Sequence, residues 1–214
     1  MRLRKLWFFP ILLVMVLISG CTHTTVNSFV DPEYRFAKFS RLMVYMPYSD
    51  IGLRQSSELK AVSVLSELGV KGVPSYEILV PTRTYSAEQA TELLTAHGID
   101  GVLEFRVLDA QLQQSYVPPT TSTSGTVYVL GNTYDYHQST QTYGGYFIQS
   151  PMVQFEVSLY DAQNGKKAWI AQLNSHGIAF STFEDLIDAV SSKAIKKLDQ
   201  DGLLFTLRGF AGNQ

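Results

Sequence analysis

Val153 to Leu173 reads VQFEVSLYDAQNGKKAWIAQL, and this stretch decides what kind of core the chain builds. Val153, Phe155, Val157 and Leu159 recur at every second residue, the spacing that sends side chains to one face of a strand. Asn164-Gly165 supplies residues that tolerate a tight turn, and Lys167 to Leu173 returns as a second strand carrying Trp169 in its buried row. An antiparallel hairpin is therefore expected here.

The elements on either side favour a sheet covered by helices. Leu42-Met43-Val44-Tyr45-Met46 before Pro47 is a short continuous apolar run, as in a buried strand. Leu53, Leu59, Val62, Leu65 and Leu68 lie mainly three residues apart and end at Gly69, which predicts a helix over 53–68. Tyr76 to Val80 before Pro81 repeats the strand signal. Ser86 with Gln89 makes a capping box for a second helix that closes at Gly98. In Gly101 to Tyr116, Leu103, Phe105 and Val107 are odd-numbered, whereas Leu108, Ala110 and Leu112 are even. A strict period of two cannot hold both rows on one face, so a bulge or strong twist is expected near Val107 and Leu108. A last helix opens at Ser181 with Glu184 as its capping box. It turns Phe183, Ile187, Val190, Ala194 and Leu198 to the core and stops at Gly202. Two βα units followed by a hairpin imply a mixed sheet. The fold class is α/β (α+β): one domain over 41–204, with about three packed helices and an extended β-arm insertion at 113–150, followed by a C-terminal tail at 205–214.

At the amino terminus Arg2, Arg4 and Lys5 precede an apolar run from Leu6 to Ile18, the length of a signal-peptide core rather than of a membrane span. Leu17-Ile18-Ser19-Gly20-Cys21 follows, and Cys21 is the single cysteine of the chain. This motif resembles the lipobox of bacterial lipoproteins. The resemblance implies removal of residues 1–20, a diacylglyceryl thioether on Cys21 and acylation, typically palmitate, of the new amino terminus. Thr22 is not the aspartate that resembles an inner-membrane retention signal, so the outer membrane, periplasmic face, is expected. Thr22 to Ser28 is small and polar and reads as a linker. Residues 21–40 thus form a lipidated tether and lead-in, with Phe29, Val30, Tyr34, Phe36 and Phe39 packing on the domain.

Composition excludes several function classes. The chain carries 17 Lys and Arg against 19 Asp and Glu. Cleavage removes three bases and no acid, leaving 14 minus 19, or −5. With no basic run, nucleic-acid binding lacks its electrostatic driving force. One cysteine rules out an internal disulfide and a cysteine-ligated metal. His23, His97, His137 and His176 share no ligand spacing, so no metal is expected. No phosphate loop, nucleophile elbow or Ser/Lys pairing is present, and no cofactor is implied. Glu184, Asp185 and Asp188 lie in the first turns of the last helix, where its dipole favours negative charge. The expectation is a protein that is not an enzyme.

Between Arg106 and Lys166 there is no Lys or Arg, and 113–150 holds one acid, Asp135. The same stretch carries Tyr116, Tyr128, Tyr134, Tyr136, Tyr143 and Tyr146, the candidate partner-binding residues, with Phe147 beside them. Pro118-Pro119 and the Thr/Ser run after it read as a loop, and Gly144-Gly145 as a turn. Thr126 to Tyr136 and Thr140 to Ile148 are candidates to pair as a hairpin. Three roles are open: an arm folded over its own sheet, a surface whose neutral aromatics meet a protein or stack on sugar rings, and a membrane hairpin, against which Asn132, Asp135, His137 and Gln141 interrupt any lipid-facing row.

Over 41–204 the chain resembles a group of bacterial envelope lipoprotein domains: the activator lipoproteins of penicillin-binding proteins, the curli secretion lipoprotein, and the amino-terminal domain of the Tol-Pal propeller protein. The carrying residues are Arg41 to Pro47, Ser86 to Val107, and the hairpin from Phe155 to Trp169 with its following helix. The resemblance is one of topology and transfers no site residue. It implies a non-catalytic lipoprotein that binds or scaffolds an envelope protein or glycan partner. The alternative is a self-assembling ring or export component for a surface polymer, a homo-oligomer.

Overall fold

The computed structural model describes residues 23–130, 133–178 and 181–206, with the backbone alone over 125–130 and 133–137. The hairpin that anchors the sequence reading forms as β7 (Tyr146–Asp161) and β8 (Lys167–His176). Val153, Phe155, Val157, Leu159 and Trp169 are all buried. The connection closes through hydrogen bonds from Asp161 N to Lys166 O and from Gly165 N to Asp161 O, both 2.9 Å. Gly165 has φ +69°, which the residue at that turn must adopt and glycine adopts without strain.

Six strands join in the order β1-β8-β7-β4-β2-β3. They are β1 (His23–Val30), β2 (Arg41–Tyr45), β3 (Lys71–Pro74) and β4 (Gly101–Val117) with the hairpin strands. β2 pairs in parallel with β3 and β4, while β4-β7, β7-β8 and β8-β1 are antiparallel. Helix α1 (Ile51–Glu67) crosses between β2 and β3, a one-turn helix α2 (Ser75–Ile78) and α3 (Ala87–Ala96) fill the path to β4, and α4 (Phe183–Gln200) closes the domain. This is the expected mixed α+β architecture. The apolar run at β2 is continuous because both faces of the strand are covered: Leu42 and Val44 join the main core with α1 and α4, whereas Met43 joins a second cluster with Val73, Ile78, Leu94 and Ile99. The bulge also falls where the alternation breaks, with Val107 opposite Phe155, Asp109 opposite Gln154, and Leu108 left over.

Four local expectations are corrected. Tyr76 to Val80 is not a strand: β3 lies earlier, and Ser75–Ile78 is helical. Short apolar runs do not distinguish the two states, and here the buried carboxylate of Glu58 decides, accepting from Ser75 N at 2.8 Å and Ser75 Oγ at 2.7 Å. The last capping box uses Thr182 and Asp185, one residue later than expected, while the Ser181 hydroxyl accepts from Ile178 N at 3.0 Å. Phe183 is 40% exposed at the rim, although Ile187, Val190, Ala194 and Leu198 are buried as expected. In the lead-in, Tyr34 and Phe39 are buried but Phe29 and Phe36 are not. The fourth correction is the largest: residues 23–30 are no linker but the edge strand β1, paired with β8 along its whole length.

Candidate functional site

The arm is the end of the β4-β7 ribbon continued far beyond the sheet. β5 (Thr120–Leu130) pairs with β6 (Thr133–Tyr143) and, among the described residues, with no other strand. One register runs from Asp109 opposite Gln154, through Val117 opposite Tyr146, to Thr120 opposite Tyr143 and Leu130 opposite Thr133. Pro118-Pro119 faces Gly144-Gly145 where the ladder lapses, because proline lacks the N–H to carry it. Gly144 has φ +104°, and a Cβ there would lie 2.6 Å from the Pro118 carbonyl oxygen. Only glycine fits this crossing. The expected hairpin is therefore present with different strands. The Thr/Ser run after the prolines is strand rather than loop, in keeping with the β-propensity of threonine. The chain reverses between Leu130 and Thr133 rather than after Tyr136.

Tyr116, Tyr143 and Tyr146 stand exposed at 53, 61 and 55% around the kink, together with Phe147 at 62%. Tyr116 and Phe147 rest ring to ring, 5.1 Å between centroids at 50°. Toward the tip the register sets Tyr128 opposite Asp135, Tyr134 opposite Val129 and Tyr136 opposite Val127. The six tyrosines thus share one ribbon but not one face. Directly paired residues lie on the same side of a ribbon, so Tyr128 and Tyr143 fall on one face and Tyr134 and Tyr136 on the other. Asp135, His137 and Gln141 share a single face with Ser122 and Ser139, while Gln138 and Gly125 fall in the opposite row. Asn132 lies outside the described residues. This sorting was not readable without the register.

Cys21 also lies outside the described residues, but the strand that follows it does not. His23 pairs with His176, His176 with Met152, and Met152 with Gln111. The chain coming from Cys21 therefore enters the sheet at the end from which the arm departs. β1 is clamped at its other end by Asp201, the cap of α4. Its Oδ2 accepts from Ser28 Oγ at 2.6 Å and from Trp169 Nε1 at 2.8 Å, and Lys197 pairs with Oδ1. Burial alone would raise the Asp201 pKa, but hydrogen bonds from Lys197, Ser28 and Trp169 together hold it below the usual carboxylate value. A folded-state pKa below the unfolded one contributes stability above the unfolded value, about 3.9, which is lost as pH falls through the folded value. Urea titrations of wild type and Asp201→Asn are expected to differ most at neutral pH and to converge as the pH falls through the lowered folded value. A constant gap across that range would rule out the titration of Asp201 as its cause.

The remaining candidates form no catalytic set. An open cleft of about 560 Å³ is bordered by Tyr45, Thr91, Leu94, Arg106 and Tyr160. Its polar groups are engaged: Arg106 and Tyr160 OH donate to Glu104 at 3.0 and 3.3 Å, and Asp161 accepts from Tyr34 OH and Asn164 Nδ2. Among the described residues no three His, Cys, Asp or Glu side chains are placed to hold a metal ion. His23 and His176, remote in sequence, face each other across the β1-β8 ladder without a third partner of that kind. Glu184 and Asp185 occupy the first turn of α4, with Asp185 spent on the cap. Glu58 and Asp201, two carboxylates that each join distant segments, carried no sequence signal beyond Arg54 one turn before the first and Gly202 after the second.

No protein-family model matches the sequence, and no curated protein matches it. Among solved structures, the chain is similar to the PelC dodecamer from Paraburkholderia phytofirmans at 17% identity and TM-score 0.48, covering 82% of this chain and 97% of that one. It is similar to lipoprotein GNA1162 from Neisseria meningitidis at 15% identity and TM-score 0.40, covering 75% and 99%.

Proposed function

We propose that the protein is a non-catalytic lipoprotein, held on the periplasmic face of the outer membrane through acylated Cys21, which uses its arm to bind or scaffold an envelope protein or glycan. The observation that carries this reading is the arm itself: a long ribbon, free of Lys and Arg, whose two strands pair, among the described residues, only with each other. An isolated two-stranded ribbon is marginal in water, so the element calls for a partner. Hydroxyls of threonine and serine and tyrosine rings suit neutral hydrogen-bonding and stacking surfaces such as sugars or a protein edge.

Replacing 113–150 by a short turn between Leu112 and Pro151 tests it. Because the domain core does not draw on the arm, the unfolding free energy is expected to change by less than about 1 kcal/mol. Crosslinking of the lipidated protein to its envelope partner in intact cells is expected to disappear. Undiminished crosslinking by the truncated protein would overturn the assignment. The second reading, self-assembly into a ring or export component, is favoured by the open outer edges of β5 and β6, which are templates for strand pairing. Sedimentation of a soluble form lacking residues 1–21 separates the two: a stable large oligomer supports the ring, a monomer the scaffold.

A further inference from the structure

Three donor side chains remote from one another in sequence are brought level by the sheet. His23 begins β1, His176 ends β8 and Met152 lies in β7, and the register pairs His23 with His176 and His176 with Met152. Directly paired residues carry their side chains on one side of a sheet. Here it is the side turned away from α1 and α4. Val153 and Ser175, each one residue further in, point to the opposite side and are buried, whereas His23 and His176 are exposed and Met152 is half-buried.

The row is narrow enough to share one ion. Neighbouring strands lie about 4.8 Å apart, so an ion held over His176 is one strand spacing to the side of both His23 and Met152. Imidazole and thioether donors stand off their own backbone by a similar length, which leaves a gap of about 2.0–2.3 Å, that of a metal-ligand bond. The backbone under the row is tied. Thr24 Oγ1 and Ser175 Oγ share a hydrogen bond of 2.8 Å on the opposite face, and Gly177 N donates to Pro151 O at 2.8 Å beside His176 and Met152. A Cβ at Gly177 would lie 2.7 Å from Ser181 Cβ and 3.0 Å from Pro151 Cγ, so a larger residue would push this crossing apart.

The donor types select the metal. Among the described residues no further His, Cys, Asp or Glu completes the pair, so the tetrahedral nitrogen, thiolate and carboxylate set that holds Zn(II) is lacking. A thioether beside imidazoles favours the softer Cu(I). Of the five methionines, Met1 and Met15 precede Cys21 and Met43 and Met46 are buried in the core, which leaves Met152 to reach this surface. The next residues along the same face, Thr25, Asn174 and Gln154, are neutral and bring no cation against a metal.

We propose that His23, His176 and Met152 form a mononuclear Cu(I) site at the end of the sheet where the chain from Cys21 enters. The site goes beyond the proposed function and depends neither on acylation nor on the arm. The test uses full-length protein in detergent, with Cys21 capped by its acyl group or by alkylation so that no thiol competes. Cu(I) is offered under ascorbate from the chromophoric chelator bicinchoninate, and one equivalent is expected to pass to the protein. His176→Ala, which removes the middle ligand, is expected to abolish the transfer. Met152→Leu, close in volume, is expected to weaken Cu(I) binding by about tenfold or more and to change Zn(II) binding less than about twofold, since thioether is a ligand for the soft ion alone. Thermal melts of the metal-free variants are expected to match wild type, which separates loss of a ligand from loss of the fold. X-ray absorption of the wild-type complex, which needs no variant, is expected to show one sulfur ligand. No uptake by wild type, uptake unchanged in either variant, a wild-type spectrum without sulfur, or Zn(II) held more tightly than Cu(I) would each overturn the site.

Discussion

Glu58→Ala is expected to destabilise the domain by about 3–5 kcal/mol, because it removes the shared acceptor of four donors. The carboxylate is fully buried. Its Oε1 accepts from Met46 N at 3.0 Å, Arg54 Nε at 3.1 Å and Ser75 Oγ at 2.7 Å, and its Oε2 from Ser75 N at 2.8 Å. These contacts join the end of β2 and the first turns of α1, which pack in the main core, to the start of α2, whose Ile78 lies in the second cluster. Alanine leaves the buried Met46 and Ser75 N–H groups and the Ser75 hydroxyl without this acceptor, and the partly exposed Arg54 guanidinium without its ion pair; each unmet buried donor costs about 1–3 kcal/mol. Burial pushes the Tyr48 hydroxyl to a raised pKa, with the Glu58 charge adding to the effect. Tyr48 therefore stays protonated and cannot replace the lost anion. For a domain of this size the melting temperature is expected to fall by roughly 2–4 °C per kcal/mol. Glu58→Gln, which retains one acceptor oxygen, is expected between wild type and alanine. A thermal melt in which the alanine variant loses less than about 1 kcal/mol would show that water reaches the site and that the network is not what joins these segments.

Glu58 also marks where sequence reading stopped. The β7-β8 hairpin was legible because its period of two coincides with burial and its turn residues are local to it. The helices α1 and α3 were legible because their caps and stops lie within the same few residues. The bulge at Leu108 could be inferred because a broken alternation admits few solutions. What failed was set by partners far along the chain. His23 to Val30 contains Thr, Asn and Ser that read as a linker, and becomes a strand only because β8, nearly 150 residues later, offers an unpaired edge. Its half-buried positions, Thr24, Val26, Ser28 and Val30, do alternate, but with two apolar residues among four the pattern was too thin to outweigh composition. Ser75 looked like the entrance to a strand, since nothing local reveals a carboxylate donated from the preceding helix. In the candidate site the tyrosines, the missing bases and the kink residues were all visible. The division of the ribbon into two faces was not, because it depends on which residue of β5 meets which of β6.

Trp169→Ala is expected to cost about 3–5 kcal/mol as well, and to act most strongly on the edge strand β1. Trp169 is among the largest fully buried side chains, 1% exposed, so truncation leaves a cavity between β8 and α4. It also removes the Nε1–H that shares Asp201 Oδ2 with Ser28. Val30 is the register partner of Trp169, so loss of the indole loosens the β1-β8 ladder at its inner end. Trp169→Phe separates the causes: it retains most of the volume and forfeits the hydrogen bond to a charged acceptor, an interaction of about 1.5–3 kcal/mol. Amide exchange in β1 is expected to accelerate more than exchange in β4 or β7 in both variants, and to the greater extent in alanine. Uniform acceleration across the sheet would mean that Trp169 supports the core as a whole and is no clamp for the edge strand.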